Sequence, residues 1–157
     1  MSQVNKTAAW FLLGQWVLIA CYALSMAYRD VHARPLWVMI VGIIVAVVGL
    51  IVIGAAGAAH AIVNKSGRVR ISPTPDSSRK LVDRGIYSKV RHPMYLGAIL
   101  FLAGIALSFG GYLTGLVTLA AIAFVYIKAL YEEKLLKEIY PEYPAYMERT
   151  ARILPFL

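Results

Sequence analysis

The chain has 157 residues, of which 60% are hydrophobic and only 15% charged, with a mean hydropathy of +0.67. That is too apolar for a soluble domain of this length and indicates a small membrane protein. The net charge of +8 does not indicate a nucleic-acid partner, because the 16 Lys and Arg lie in short segments between long apolar runs. The single cysteine, Cys21, excludes an internal disulfide and a thiolate metal cluster.

Met1–Thr7 carries only Lys6, and no small-residue cleavage motif follows, so a retained first span is expected in place of a removed signal peptide. Ala8 to Tyr28 is 21 residues without a charge, enough at about 1.5 Å per residue to cross a hydrocarbon core of roughly 30 Å. Gln15 is its only strongly polar member and is expected to face another helix, since polar groups in lipid seek partners. The short connection to Pro35 places Arg29, Asp30, His32 and Arg34 in water. His32 has no second metal-binding side chain at a suitable spacing.

Leu36 to Val63 is a second uncharged run, long enough to cross with tilt. Gly42, Gly49, Gly54 and Gly57 recur along it, and Ala55, Ala56, Ala58 and Ala59 enrich its second half in small side chains. Such a surface lets another helix approach closely. His60, at the exit, reads as an interfacial residue.

Residues 64–93 form the long polar segment, with eight Lys and Arg opposed by Asp76 and Asp83. Pro73 and Pro75 hold part of it extended. Attraction to anionic headgroups explains the charge, and a connection this long in so small a protein suggests a binding segment. At its end, Tyr87, Arg91, His92 and Tyr95 fall within nine residues around Pro93, which is suited to open a helix. A helix start beside an arginine is a plausible anion site. The same residues also read as topological charge bias, a cap and an interfacial aromatic belt.

Met94 to Ile127 is 34 residues without a charge, too long for one crossing, and Ser108–Tyr112 with its Gly-Gly pair breaks it into a short hairpin. The last helix is expected to continue through Lys128 to about Ile139, carrying its charges into water. Tyr140-Pro141 and Tyr143-Pro144 then stop it and restart a short interfacial helix. The expected fold is all-α: an integral-membrane bundle of four transmembrane helices, spans about 8–28, 36–63, 94–109 and 112–131, plus a C-terminal interfacial helix in a tail over 132–157. The whole chain, 1–157, forms one membrane-embedded domain. The N-terminus, long loop and tail hold 14 Lys and Arg against two in the opposite loops, which orients both termini and the loop to the cytoplasm.

The run from Leu81 to Gly97 resembles the signature of the isoprenylcysteine carboxyl methyltransferase and phospholipid methyltransferase superfamily of integral-membrane enzymes. Leu81, Val82, Gly85, Tyr87, Arg91, His92, Pro93, Tyr95 and Gly97 occupy matching positions, and Asp83 stands where the family often has threonine. The tail resembles the second motif of that superfamily through Glu132, Glu133, Leu136, Tyr143, Tyr146, Arg149 and Pro155. Lys128 stands where arginine is usual, and Tyr140-Pro141 replaces Phe-Gly. The resemblance implies methyl transfer from S-adenosyl-L-methionine, without a metal, to a lipophilic acceptor reached from the lipid bilayer. A prenylcysteine-type carboxylate is the first candidate; a phospholipid, thiol or other small molecule is the alternative.

It also implies a cofactor site of Lys80, Leu81, Val82, Tyr87, His92, Pro93, Met94, Tyr95 and Glu132. The helix start with Arg91 would receive the methionine carboxylate, Glu132 its ammonium, and Lys128 would orient the acceptor, giving Lys128, Glu132 and Arg91 as catalytic candidates. Lysine cannot make arginine's two-pronged grip on a carboxylate, which opens the choice of acceptor. A transporter would instead need an ionisable group midway through a span, and residues 8–28, 36–59 and 94–127 contain no Asp, Glu, Lys or Arg. A non-catalytic scaffold would keep the fold without binding the cofactor.

Overall fold

The computed structural model describes residues 3–28, 34–64 and 80–154. Helices α1 (Gln3–Ala27), α2 (Leu36–Asn64), α3 (Pro93–Phe109), α4 (Tyr112–Ile139) and the short α5 (Tyr143–Glu148) follow in order, with one 3-10 turn at Gly85–Ser88. Three of them, Lys6–Ala27, Leu36–Asn64 and Tyr112–Ile139, are long and apolar enough to cross a membrane. With 17 residues, α3 extends about 25 Å and is the short arm of the hairpin. The fourth helix runs 28 residues to Ile139, past the end of its uncharged run at Ile127. The outer faces of α1 and α2 carry exposed Trp10, Trp16 and Trp37 among many aliphatics, as a lipid-facing surface requires.

Association inside lipid depends on close packing, since lipid tails are as apolar as the side chains. Helices α2 and α3 pack backbone to backbone. A Cβ built on Gly49 would lie 2.6 Å from the Gly97 carbonyl oxygen, and one on Gly104 2.4 Å from the Ala46 nitrogen. Ser108 Oγ seals the seam by donating to the Met39 carbonyl at 3.0 Å. The close approaches fall at Gly42, Ala46, Gly49 and Ile53 of α2. A Cβ on Gly54 would meet nothing within 4 Å, while Ala56 is fully buried beneath Val82 and Tyr87 of the loop.

Two local expectations change. Arg34 does not stand free in water: its Nη1 donates to the Ala106 carbonyl at 3.4 Å, and its guanidinium also bonds the carbonyls of Leu107 and Gly110. A cation there complements the negative end of the α3 dipole. Arg29, Asp30 and His32 lie outside the described residues. The hairpin breaks where expected, but with Gly110 and Gly111 both extended, at φ −79° and −104°. What Gly110 supplies is space, since a Cβ there would lie 2.8 Å from both the Ala106 carbonyl oxygen and the Thr114 side chain.

Candidate active site at the start of α3

The loop approaches α3 through Gly85, whose φ of +61° is a left-handed conformation that favours glycine. It turns once through Ile86 and Tyr87, then runs beside the tail. Val90 and Ala151 form a parallel bridge. Ala151 N–H donates to the Lys89 carbonyl at 3.0 Å, Arg91 N–H to the Ala151 carbonyl at 2.8 Å and His92 N–H to the Arg152 carbonyl at 3.0 Å. Pro93, fully buried, opens α3. His92 sits at the N-cap position, where its carbonyl accepts from Tyr95 and Leu96 N–H at 3.1 Å. Its side chain makes no cap hydrogen bond and turns instead toward two glutamates of α4.

Those neighbours, Glu132 and Glu133, have different surroundings. Glu133 is 3% exposed. Its Oε1 accepts from Arg91 Nε at 2.8 Å and its Oε2 from Arg152 Nε at 2.9 Å, with His92 Nε2 3.4 Å from Oε1. Burial opposes its ionisation, but the contacts with His92, Arg91 and Arg152 override it and bring Glu133 down to about 2. Arg91 spends its remaining bonds on the tail, with Nη1 donating to the Met147 carbonyl at 3.0 Å, to Thr150 Oγ1 at 3.3 Å and to the Thr150 carbonyl. Arg91 and Glu133 therefore clamp the C-terminal segment onto the start of α3.

Glu132 has no arginine partner among the described residues. Its Oε1 accepts from Tyr95 Oη at 2.6 Å, and its Oε2 lies 3.6 Å from His92 Nδ1. Burial holds this carboxyl above the usual carboxylate range, against the opposing pull of His92, Tyr95 and Lys128. The His92 and Tyr95 rings stack 5.4 Å apart at an interplanar angle of 5°. Lys128 Nζ lies 5.4 Å from the Tyr95 ring centre. Lys128 itself is 2% exposed and donates to Gln15 Oε1 of α1 at 2.9 Å. It is no solvated partner of Glu132, and Gln15 faces another helix as expected.

The other sequence candidates surround this cluster. Tyr87 is buried, and burial together with the Glu132 charge pushes its phenol up to about 12. Met94 and Ile86 pack on the Val82–Tyr87–Ala56 cluster, so the Val82 side chain serves that contact with α2. Lys80 is exposed, its N–H donating to Asn64 Oδ1 at 2.9 Å, and half-buried Leu81 follows it along the end of α2. The tyrosines of the tail do not form an interfacial belt: Tyr143 is 1% and Tyr146 2% exposed, and Tyr146 Oη donates to the Tyr87 carbonyl at 2.7 Å. Arg149 pairs with Asp83 at 2.8 Å, an exposed ion pair between the tail and the loop. Pro155 lies outside the described residues.

Sequence reasoning did not single out Arg152, Thr150 or the clamp role of Glu133. The Glu-Glu pair was the available signal, but adjacent residues on a helix point about 100° apart, and nothing in the sequence says which of the two meets the arginines.

The residues brought together here, His92 and Tyr95 at the start of α3 with Lys128 and Glu132 of α4, come from the two stretches singled out in the sequence. The family model for phospholipid methyltransferase matches residues 32–143, more than half of the chain. No curated protein matches the chain. With a multi-pass helical bundle and both motifs folded onto one site, the chain belongs to the phospholipid methyltransferase family of membrane methyltransferases.

Proposed function

We propose that this protein transfers a methyl group from S-adenosylmethionine to a lipophilic acceptor that enters from the bilayer, at a site on the cytoplasmic side. The observation that carries the reading is the meeting of His92 and Glu132, 3.6 Å apart on different helices, with Tyr95 holding Glu132 at 2.6 Å. Of the two neighbouring carboxylates, Glu133 is saturated by arginines and Glu132 is not. A carboxylate in that state, beside stacked rings, suits a primary ammonium such as that of a methionine moiety.

The bound cofactor would supply an electrophilic methyl on a sulfonium, so the site needs no protein nucleophile; it needs placement and desolvation. Glu132 would take the ammonium. The start of α3 at Pro93–Met94 would receive the carboxylate at the positive end of a helix dipole. Arg91 contributes by holding the tail and the helix start in place, and its guanidinium is engaged there. Tyr87 and Tyr95 offer ring faces to positive charge, and Tyr95 already accommodates the Lys128 ammonium. Lys80, Leu81 and Val82 run alongside as the approach segment. Lys128 presents its charge to the acceptor as a point donor.

The test is titration of the detergent-solubilised protein with S-adenosylhomocysteine, followed by labelled methyl transfer to N-acetyl-S-farnesylcysteine, phosphatidylethanolamine and an alkyl thiol. Binding with transfer to one of the three supports the reading and selects the acceptor class. Absence of binding leaves a scaffold with the family fold and overturns it.

A further inference from the structure

We propose that Gln15 of α1 is a positioning residue for the reaction: it fixes the direction of the Lys128 ammonium, so that a helix outside the family-matched segment completes the site. The inference rests on the function proposed above. The family match begins at residue 32, beyond the end of α1 at Ala27. Yet α1 is the element that reaches Lys128, through the 2.9 Å bond from Nζ to Gln15 Oε1.

The contact is framed on both sides. Phe11, one turn before Gln15 on the same face, packs against Phe124 at 5.9 Å and Tyr131 at 5.2 Å between ring centres. A Cβ on Gly14 would lie 2.8 Å from the Phe124 ring. The α1–α4 register at this level is therefore fixed by shape, and Gln15 is held opposite Lys128.

The choice of an amide has a chemical consequence. A buried ammonium left without an acceptor is costly, and a carboxylate opposite it would satisfy it by neutralising it. A neutral carbonyl oxygen satisfies one N–H and sets the side chain's direction while leaving the charge available. Lys128 is 2% exposed and has no carboxylate within ion-pair distance among the described residues. A change at Gln15 therefore acts through one side chain, the lysine that orients the acceptor, which lies against the Tyr95 ring, and leaves the Glu132–His92 pair in place.

The test uses the full-length protein in vesicles of phosphatidylcholine and phosphatidylethanolamine, with and without N-acetyl-S-farnesylcysteine. Gln15→Met keeps the length and loses the acceptor; Gln15→Asn keeps the acceptor but withdraws it by about one bond length. Both should lower kcat for methyl transfer about tenfold or more and leave S-adenosylhomocysteine affinity within twofold of the wild type. In a Lys128→Met background, Gln15→Met should have no further effect, since the residue acts through the lysine. A Gln15→Met protein with wild-type kcat would overturn the proposal, as would full additivity in the cycle. If Gln15→Met does not fold, Gln15→Asn decides by the same criteria. If the wild-type protein binds no S-adenosylhomocysteine, the functional reading itself fails and this inference with it, an outcome visible before any variant is made.

Discussion

Replacing Gly104 by alanine adds one methyl group, and its cost can be worked from the α2–α3 seam. The new Cβ would lie 2.4 Å from the Ala46 nitrogen, 2.5 Å from the Gly42 carbonyl oxygen and 2.9 Å from the Ala46 Cα. All three are backbone atoms, so no rotamer change relieves them. Ordinary contact needs about 3.5 Å, which requires the two helices to part by about 1 Å, and a gap of that size forfeits a quarter to a half of each lost contact. Overpacking of this kind costs about 1–3 kcal/mol. Gly54→Ala in α2 is the matched control, because its Cβ meets nothing within 4 Å and alanine gains up to about 1 kcal/mol of helix propensity. Unfolding titrations in bicelles should thus move the two variants in opposite directions, by about 2–4 kcal/mol in total. Because α3 carries His92 and Tyr95 at its start, Gly104→Ala should also weaken S-adenosylhomocysteine binding several-fold. Equal shifts of the same sign would refute the claim that the seam is a backbone contact.

Glu133→Gln should cost about 3–5 kcal/mol of stability at pH 7, because it leaves the buried Arg91 without its charge partner. The pH dependence has a defined sign. With Glu133 at about 2 in the folded protein against an ordinary 4.5, its contribution is complete above 4.5 and is lost as pH falls toward 2. Unfolding measured across that window should show the loss in the wild type and not in Glu133→Gln. Gly85→Ala should cost about 1–2 kcal/mol from the left-handed backbone alone, since the nearest side-chain atom is Ala59 Cβ at 4.0 Å. Gly85→Asn should cost less, since asparagine tolerates that conformation, and paired thermal melts check the order.

The fold was legible where length and charge decide it. Uncharged runs gave the long helices, the Gly-Gly pair the hairpin, and the extension of α4 past Lys128 ended at Ile139 as expected. Gln15 was readable as a polar group seeking a helix partner, though not the identity of that partner, which lies 113 positions away. The Gly-Gly hairpin sets α3 beside α4, but that His92 and Glu132 form one site followed from the resemblance of the two motifs to known enzymes. What escaped the sequence was the burial of the tail. Tyrosines near a membrane span suit an interfacial belt and a packed core equally well, and the Val90–Ala151 bridge pairs single residues with no strand pattern around them. Arg34 was misplaced for a related reason: a basic loop residue at a membrane face gives no sign that a helix C-terminus lies within its reach.

The account depends on Glu132 and His92 forming one ligand site, and a calorimetric titration with S-adenosylhomocysteine on the wild type, His92→Ala and Glu132→Gln tests that directly. A charge-assisted hydrogen bond contributes about 1.5–3 kcal/mol, so each variant should bind about 10- to 100-fold more weakly than the wild type while unfolding as one cooperative unit. Wild-type affinity in both variants would contradict it.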